Sequence, residues 1–147
     1  MSQKFKKLGF QSIKTTRTKS FVNIDEYGVI SFSGQLRRDL SIKSKESAVL
    51  YFNPDEGLLA IHIGTFDRKK NKDMEIISIK SDKTISAKTQ LQNIEDEYPN
   101  YTLLPQEGSK ITLEDVEIEN VNEKPDPYSR MIIMTLKREK LPFRKNN

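Results

Sequence analysis

The hydrophobic pattern between residues 20 and 63 narrows the possible folds of this chain more than any other feature. Apolar residues alternate in short runs, and each run ends in turn chemistry. Val22 and Ile24 share one side of an extended segment, and Ile30 and Phe32 do so after Tyr27-Gly28. A period of two belongs to a half-buried strand. Glycine at the turn accepts the positive φ of a tight reversal. The alternation then breaks over residues 34–40, where Leu36 and Leu40 lie four apart on one helical face. Ser33 is placed to cap that helix, and Arg37 and Arg38 point away from its apolar face. Residues 48–52 and 58–63 are densely apolar and flank Asn53-Pro54-Asp55-Glu56-Gly57, a strong reversal signal. The order is strand, turn, strand, short helix, hairpin.

Similar signals continue. A charged loop is expected at 67–73, then strands over 75–80 and 83–88 around Ser81-Asp82. A helix over 90–98 ends at Pro99. Extended pieces follow at 101–104, 110–113 and 116–118, then a proline-rich loop at 122–129 and a strand over 130–137. That last strand is expected at a sheet edge, free to pair between subunits of a homodimer. The predicted fold is mainly β (α+β): antiparallel hairpins with one or two short helices, arranged as swapped hairpins or as a curved sheet or barrel. With 147 residues the chain is long enough for a sizeable core. It divides into a basic N-terminal tail (1–19, with a short strand at 10–13), a β-α-β-β unit (20–66), a β-rich second half of the same domain (74–137) and a basic C-terminal tail (138–147).

An internal echo joins the halves. Ile79-Lys80-Ser81-Asp82-Lys83-Thr84-Ile85-Ser86 resembles Ile24-Asp25-Glu26-Tyr27-Gly28-Val29-Ile30-Ser31, and a Gln-Leu pair follows each, Gln35-Leu36 and Gln90-Leu91. A degenerate duplication and a coincidental likeness of two polar hairpins both account for it.

Several function classes find no support. Cysteine is absent, which removes disulfides, thiolate nucleophiles and cysteine metal sites. Apolar runs such as Leu58-Leu59-Ala60-Ile61 are too short to span a bilayer, and no apolar segment follows the basic N-terminus as in a signal peptide. The expected location is cytoplasmic or nucleoid-associated, or the host cytoplasm for a virus-encoded chain. Lysine outnumbers arginine 18 to 7, a ratio that suits an AT-rich cellular or viral genome. The lone histidine, His62, sits in an apolar strand, where packing is the ordinary role. The acidic pairs Asp25-Glu26 and Asp55-Glu56 fall in turns, a third lies at Asp96-Glu97, and no Asp/Glu/His set has metal-ligand spacing. Phosphate-cradling and nucleophile-elbow motifs are missing. No enzyme activity, cofactor or metal is expected.

Charge points elsewhere. The net charge is +4, yet its distribution is uneven. Residues 1–93 carry 17 basic against 10 acidic groups, residues 94–123 one against nine, and residues 124–147 seven against two. Lys4, Lys6, Lys7, Lys14, Arg17 and Lys19 crowd the first 20 residues without an acid. Arg37, Arg38, Lys43 and Lys45 cluster around the short helix and its exit. Such clusters attract phosphate through steering and counterion release, and arginine binds phosphate or guanine bidentately. A solvated helix face carrying internal salt bridges is the alternative. The leading expectation is a non-enzymatic DNA-binding protein, regulatory or architectural, with duplex favoured.

The run Gly28-Val29-Ile30-Ser31-Phe32-Ser33, then Leu36-Arg37-Arg38-Asp39-Leu40-Ser41-Ile42 and an apolar hairpin, resembles the swapped-hairpin AbrB-type DNA-binding domain over residues 20–63. Gly28, Leu36, Arg37, Leu40 and Ile42 match that pattern. Val29 stands where the family has arginine, Ser33 where it has proline, and Ser41 where it has glycine. The resemblance implies an intertwined dimer lying on double-stranded DNA, with Arg37, Arg38 and nearby lysines as contacts. The aromatics offer a second reading. Tyr27 and Tyr51 are candidates for exposure, Phe32 and Phe52 for the core. A curved sheet bearing exposed tyrosines and lysines suits single-stranded DNA or RNA, as in OB-folds and the coactivator-type single-strand-binding fold. A third reading treats the acidic segment 94–123 as a docking or phosphate-mimicking element of a protein-interaction module.

Overall fold

The computed structural model describes residues 19–43, 45–121 and 129–136. The expected strand at 10–13, the loop residues 122–128 and the C-terminal tail lie outside the described residues.

Strands β1 (Val22–Asp25) and β2 (Val29–Phe32) form the first hairpin. Its turn closes with Gly28 N–H donating to the Asp25 carbonyl at 3.0 Å, while Asp25 Oδ1 accepts from the backbone of Tyr27 and Val29 at 2.9 Å each. Gly28 sits at φ +73°. Helix α1 (Gly34–Leu40) begins where expected: Ser33 Oγ accepts from Leu36 N–H at 3.3 Å and also from Phe21 N–H at 3.1 Å. Seven residues cannot hold a helix alone in water. Packing holds this one, because Leu36 and Leu40 are fully buried and each is worth about 1.5–3 kcal/mol of removed apolar surface. Strands β3 (Ser47–Asn53) and β4 (Leu58–Gly64) pair along their full length, Ser47 with Gly64 through Asn53 with Leu58. Asn53 Oδ1 accepts from the backbone of Asp55 and Glu56 in the intervening turn.

The second half supplies β5 (Ile77–Ser78), β6 (Ile85–Ser86), helix α2 (Lys88–Glu97), β7 (Lys110–Leu113), β8 (Val116–Val121) and β9 (Ser129–Thr135). Strands β5 and β6 are shorter than the pattern predicts. No strand forms at 101–104. The N–H groups of Leu103 and Leu104 donate instead to Glu95 Oε2 at 2.6 and 2.7 Å, so a carboxylate from α2 satisfies donors that a ladder would otherwise take.

The protein is mainly β, with two antiparallel sheets ordered β6-β2-β1-β7 and β5-β3-β4-β9-β8. Neither closes into a barrel. One hydrophobic cluster spans both sheets and both helices, including Val22, Ile30, Leu36, Ile61, Leu91 and Ile132. The β9 strand corrects an expectation. It is not an edge but lies between β4 and β8. Ile132 and Met134 are buried on one face, and Met131 and Ile133 half-buried on the other. Apolar residues on both faces mark an interior strand. The edge falls to β8, whose Glu117, Ile118 and Glu119 are exposed; carboxylates there discourage edge-to-edge pairing with a second copy.

The echo between the halves has a structural counterpart. Residues 55 apart occupy matching places: Gly28 and Lys83 at the turn, Ile30 and Ile85 on the second strand, Leu36 and Leu91 on the helix. Lys83 N–H donates to the Lys80 carbonyl at 2.9 Å, repeating the Gly28–Asp25 closure. Lys83 also shares the left-handed backbone, with φ +65° against +73°. Ile30 and Ile85 pair with each other across β2 and β6. Hairpins β3–β4 and β8–β9 meet likewise along β4 and β9. The likeness stops at the strands before the turns: β1 pairs with β2, whereas β5 joins β3 in the other sheet and is not laddered to β6. A buried ion pair joins the units: the Arg130 guanidinium grips Glu46 in bidentate fashion at 2.8 and 2.9 Å. Glu46 Oε1 also accepts from Lys43 N–H at 2.6 Å.

Candidate nucleic-acid interface

Of the expected contacts, Lys4, Lys6, Lys7, Lys14 and Arg17 lie outside the described residues. Lys19 is exposed just ahead of β1. Arg37 and Arg38 occupy the last turn of α1 and are exposed, as are Lys43 and Lys45 on the segment leaving it. Helix geometry explains why. Leu36 and Leu40 face the core, so residues 37–39 turn outward. Arg38 donates to Gln35 Oε1 at 3.0 Å, and Gln35 donates in turn to Asp39 at 2.9 Å. One guanidinium N–H is thereby used, and four remain.

Arg37 and Arg38 line an open cleft of about 340 Å³ together with Gly34, Ser41, Ile42 and Lys83. Among the described residues that lining holds three cations and no carboxylate. Lys83 comes from the other half of the chain, carried there by the turn between β5 and β6. The sequence reading missed it. The signal was present in the echo, where lysine stands in the glycine position of the turn. At the first unit the corresponding space is filled. A Cβ on Gly28 would lie 2.4 Å from the Lys88 Cα, and Ala87 N–H donates to the Gly28 carbonyl at 2.9 Å.

The tyrosines do not join this cleft. Tyr27 is 66 % exposed beside Gly28 at the filled turn, and Tyr51 is 43 % exposed on β3. Tyr51 instead borders a cleft whose lining includes Asp73 and Glu75, carboxylates that would repel a phosphodiester chain. Phe32 is buried, and Phe52 packs edge-on against Tyr101 at 5.1 Å between ring centres. His62 is buried and meets the edge of Phe66 at 4.9 Å.

The acidic segment 94–123 is not one patch. Glu95 is engaged with the backbone of Leu103 and Leu104, whereas Glu114, Asp115, Glu117 and Glu119 are exposed around β7 and β8. Glu114 and Asp115 border a larger cleft, of about 630 Å³, that also includes Ile111, Leu113 and Leu136. Glu114 and Asp115, with no cation among its described lining residues, make it unsuited to phosphate. Among the described residues no three histidine or acidic side chains gather as a metal site, and no helix is long and apolar enough to cross a membrane.

No family model, no curated protein and no solved structure matches the chain.

Proposed function

We propose that this chain is a non-enzymatic DNA-binding protein, regulatory or architectural, that grips the phosphate backbone with the exposed basic side of α1. The observation that carries this reading is that Arg37 and Arg38 share with Lys83 a cleft whose described lining has no carboxylate, with Lys43 and Lys45 exposed on the segment leaving α1. Gathering like charges in one place costs Coulomb energy. A bound polyanion repays that cost, and guanidinium groups add bidentate hydrogen bonds. The likeness of residues 20–63 to the AbrB-type domain gives Arg37 and Arg38 the same role. Duplex is favoured over single strands because Tyr27 and Tyr51, the exposed aromatic side chains among the described residues, do not line the cleft that Arg37, Arg38 and Lys83 share.

The test is fluorescence anisotropy of labelled duplex, single-stranded DNA and RNA across a salt series. Duplex should bind most tightly, with affinity falling steeply as salt rises, by about 0.9 log units per log unit of salt for each phosphate neutralised. Arg37→Ala with Arg38→Ala should weaken duplex binding by about tenfold or more. Unchanged binding in that variant removes the reading, and so does preference for oligo-dT.

A further inference from the structure

We infer that Lys83 completes a phosphate site with Arg37 and Arg38, and that the chain keeps this site in one of its two related units and has closed the other. The inference rests on the DNA-binding reading and deepens it: it gives Lys83 a direct phosphate contact and the site a stoichiometry.

Three observations carry it. Lys83 is the second-half residue lining the cleft with Arg37 and Arg38, so the three positive groups converge from two segments far apart in sequence. Lys83 also holds a left-handed backbone, φ +65°, that disfavours every side chain with a Cβ. The matching position carries glycine, which meets no such penalty. A lysine at a turn position where glycine is easier is strain held in place, and strained backbones gather where a side chain is wanted. The other non-glycine residues with positive φ among the described ones are Ser41, which lines the same cleft, and Lys45, in the same basic stretch. Finally, the related position in the first unit has no room. The Lys88 backbone occupies the place where a Cβ on Gly28 would stand, so no side chain projects from that turn.

The geometry gives each group a part. The two guanidiniums present planar donor forks, and the Lys83 ammonium adds a point charge to the same cleft. Gly34 leaves the floor open, since a Cβ there would meet nothing closer than the tip of Arg38 at 3.6 Å. The Ser41 hydroxyl donates to the Arg38 carbonyl at 3.1 Å and so fixes the end of the helix rather than the ligand. The occupant is one phosphodiester group of a nucleic-acid backbone, held once per chain.

Lys83→Gly separates this role from a structural one, because it removes the charge and relieves the strained backbone together. Against a labelled duplex at about 0.1 M salt the variant should bind about five- to tenfold more weakly, and its salt slope should be shallower by about 0.9. Its melting temperature should hold or rise. Lys88→Ala, at the filled turn, should bind as the parent does, and Lys83→Arg should retain binding. Parental affinity in Lys83→Gly overturns the inference, as does an equal loss in Lys83→Gly and Lys88→Ala, or a melting temperature that falls with affinity. If Arg37→Ala with Arg38→Ala loses binding while Lys83→Gly does not, the site loses Lys83 and the DNA-binding reading stands. If the parent itself binds no duplex, both fall.

Discussion

The two turns that lie 55 residues apart share a backbone and differ in everything around it. At Gly28 the turn is pressed onto α2, with its carbonyl bonded to Ala87 and no space for a side chain. At Lys83 the same left-handed turn stands beside α1 and opens onto a cleft with two arginines. Backbone geometry is what the units have in common, and contents are where they diverge. The first turn serves packing, and the second presents charge. The core constrains Ile30, Ile85, Leu36 and Leu91 but leaves the turn residue to its local space, so a similar turn can serve packing in one place and surface chemistry in the other.

The most damaging way to break this comparison is at the joint between units. Arg130→Ala leaves Glu46 buried without its guanidinium and should cost about 3–5 kcal/mol, read by urea unfolding as one transition shifted as a whole. Two separate transitions would mean that the halves fold apart. Next comes the turn itself. Gly28→Lys makes the first turn copy the second, and should cost about 2–5 kcal/mol from left-handed strain plus backbone overlap with Lys88. A cost under about 1 kcal/mol would erase the distinction between filled and open turns. The smallest effect concerns acid. The Thr84 hydroxyl donates to Asp82 Oδ1 at 2.6 Å and, as the leading cause, holds that carboxyl below its ordinary 3.8. A lowered folded value gives stability that is full above about pH 4 and lost as pH falls through it. The gap in melting temperature between parent and Thr84→Val should therefore narrow in acid; a gap independent of pH would assign the hydroxyl a packing role.

Local rules made the first half legible. Period-two alternation placed Val22, Ile24, Ile30 and Phe32 in the core. Serine before an apolar pair marked the start of α1, and Asn53 through Gly57 marked the tightest hairpin. The second half obeyed longer-range forces. Leu103 and Leu104 read as strand because they are apolar, but Glu95, eight and nine residues away, takes their donors. The place of β9 inside its sheet depends on β8, whose extended piece at 116–118 was legible but whose partner was not. Arg130 finds its partner Glu46 84 residues away, a separation no local pattern spans. The basic patch was half legible: Arg37 and Arg38 stand out in any reading, whereas Lys83 joins them because β6, which follows it, pairs with β2 at Ile30 and Ile85.

The joining of equivalent strands also bears on how the chain is made. Strands β2 and β4 each find a neighbour in β6 and β9, which leave the ribosome much later. Until then residues 22–64 hold two apolar hairpins with unpaired edges. Such pairings raise contact order and slow folding, and exposed edges invite association during synthesis. The molecule therefore matures late, when its last strand arrives. A chain truncated before β9 would leave β4 open along the side that Ile132 and Met134 normally cover, making it a substrate for chaperones and proteases rather than a smaller working protein.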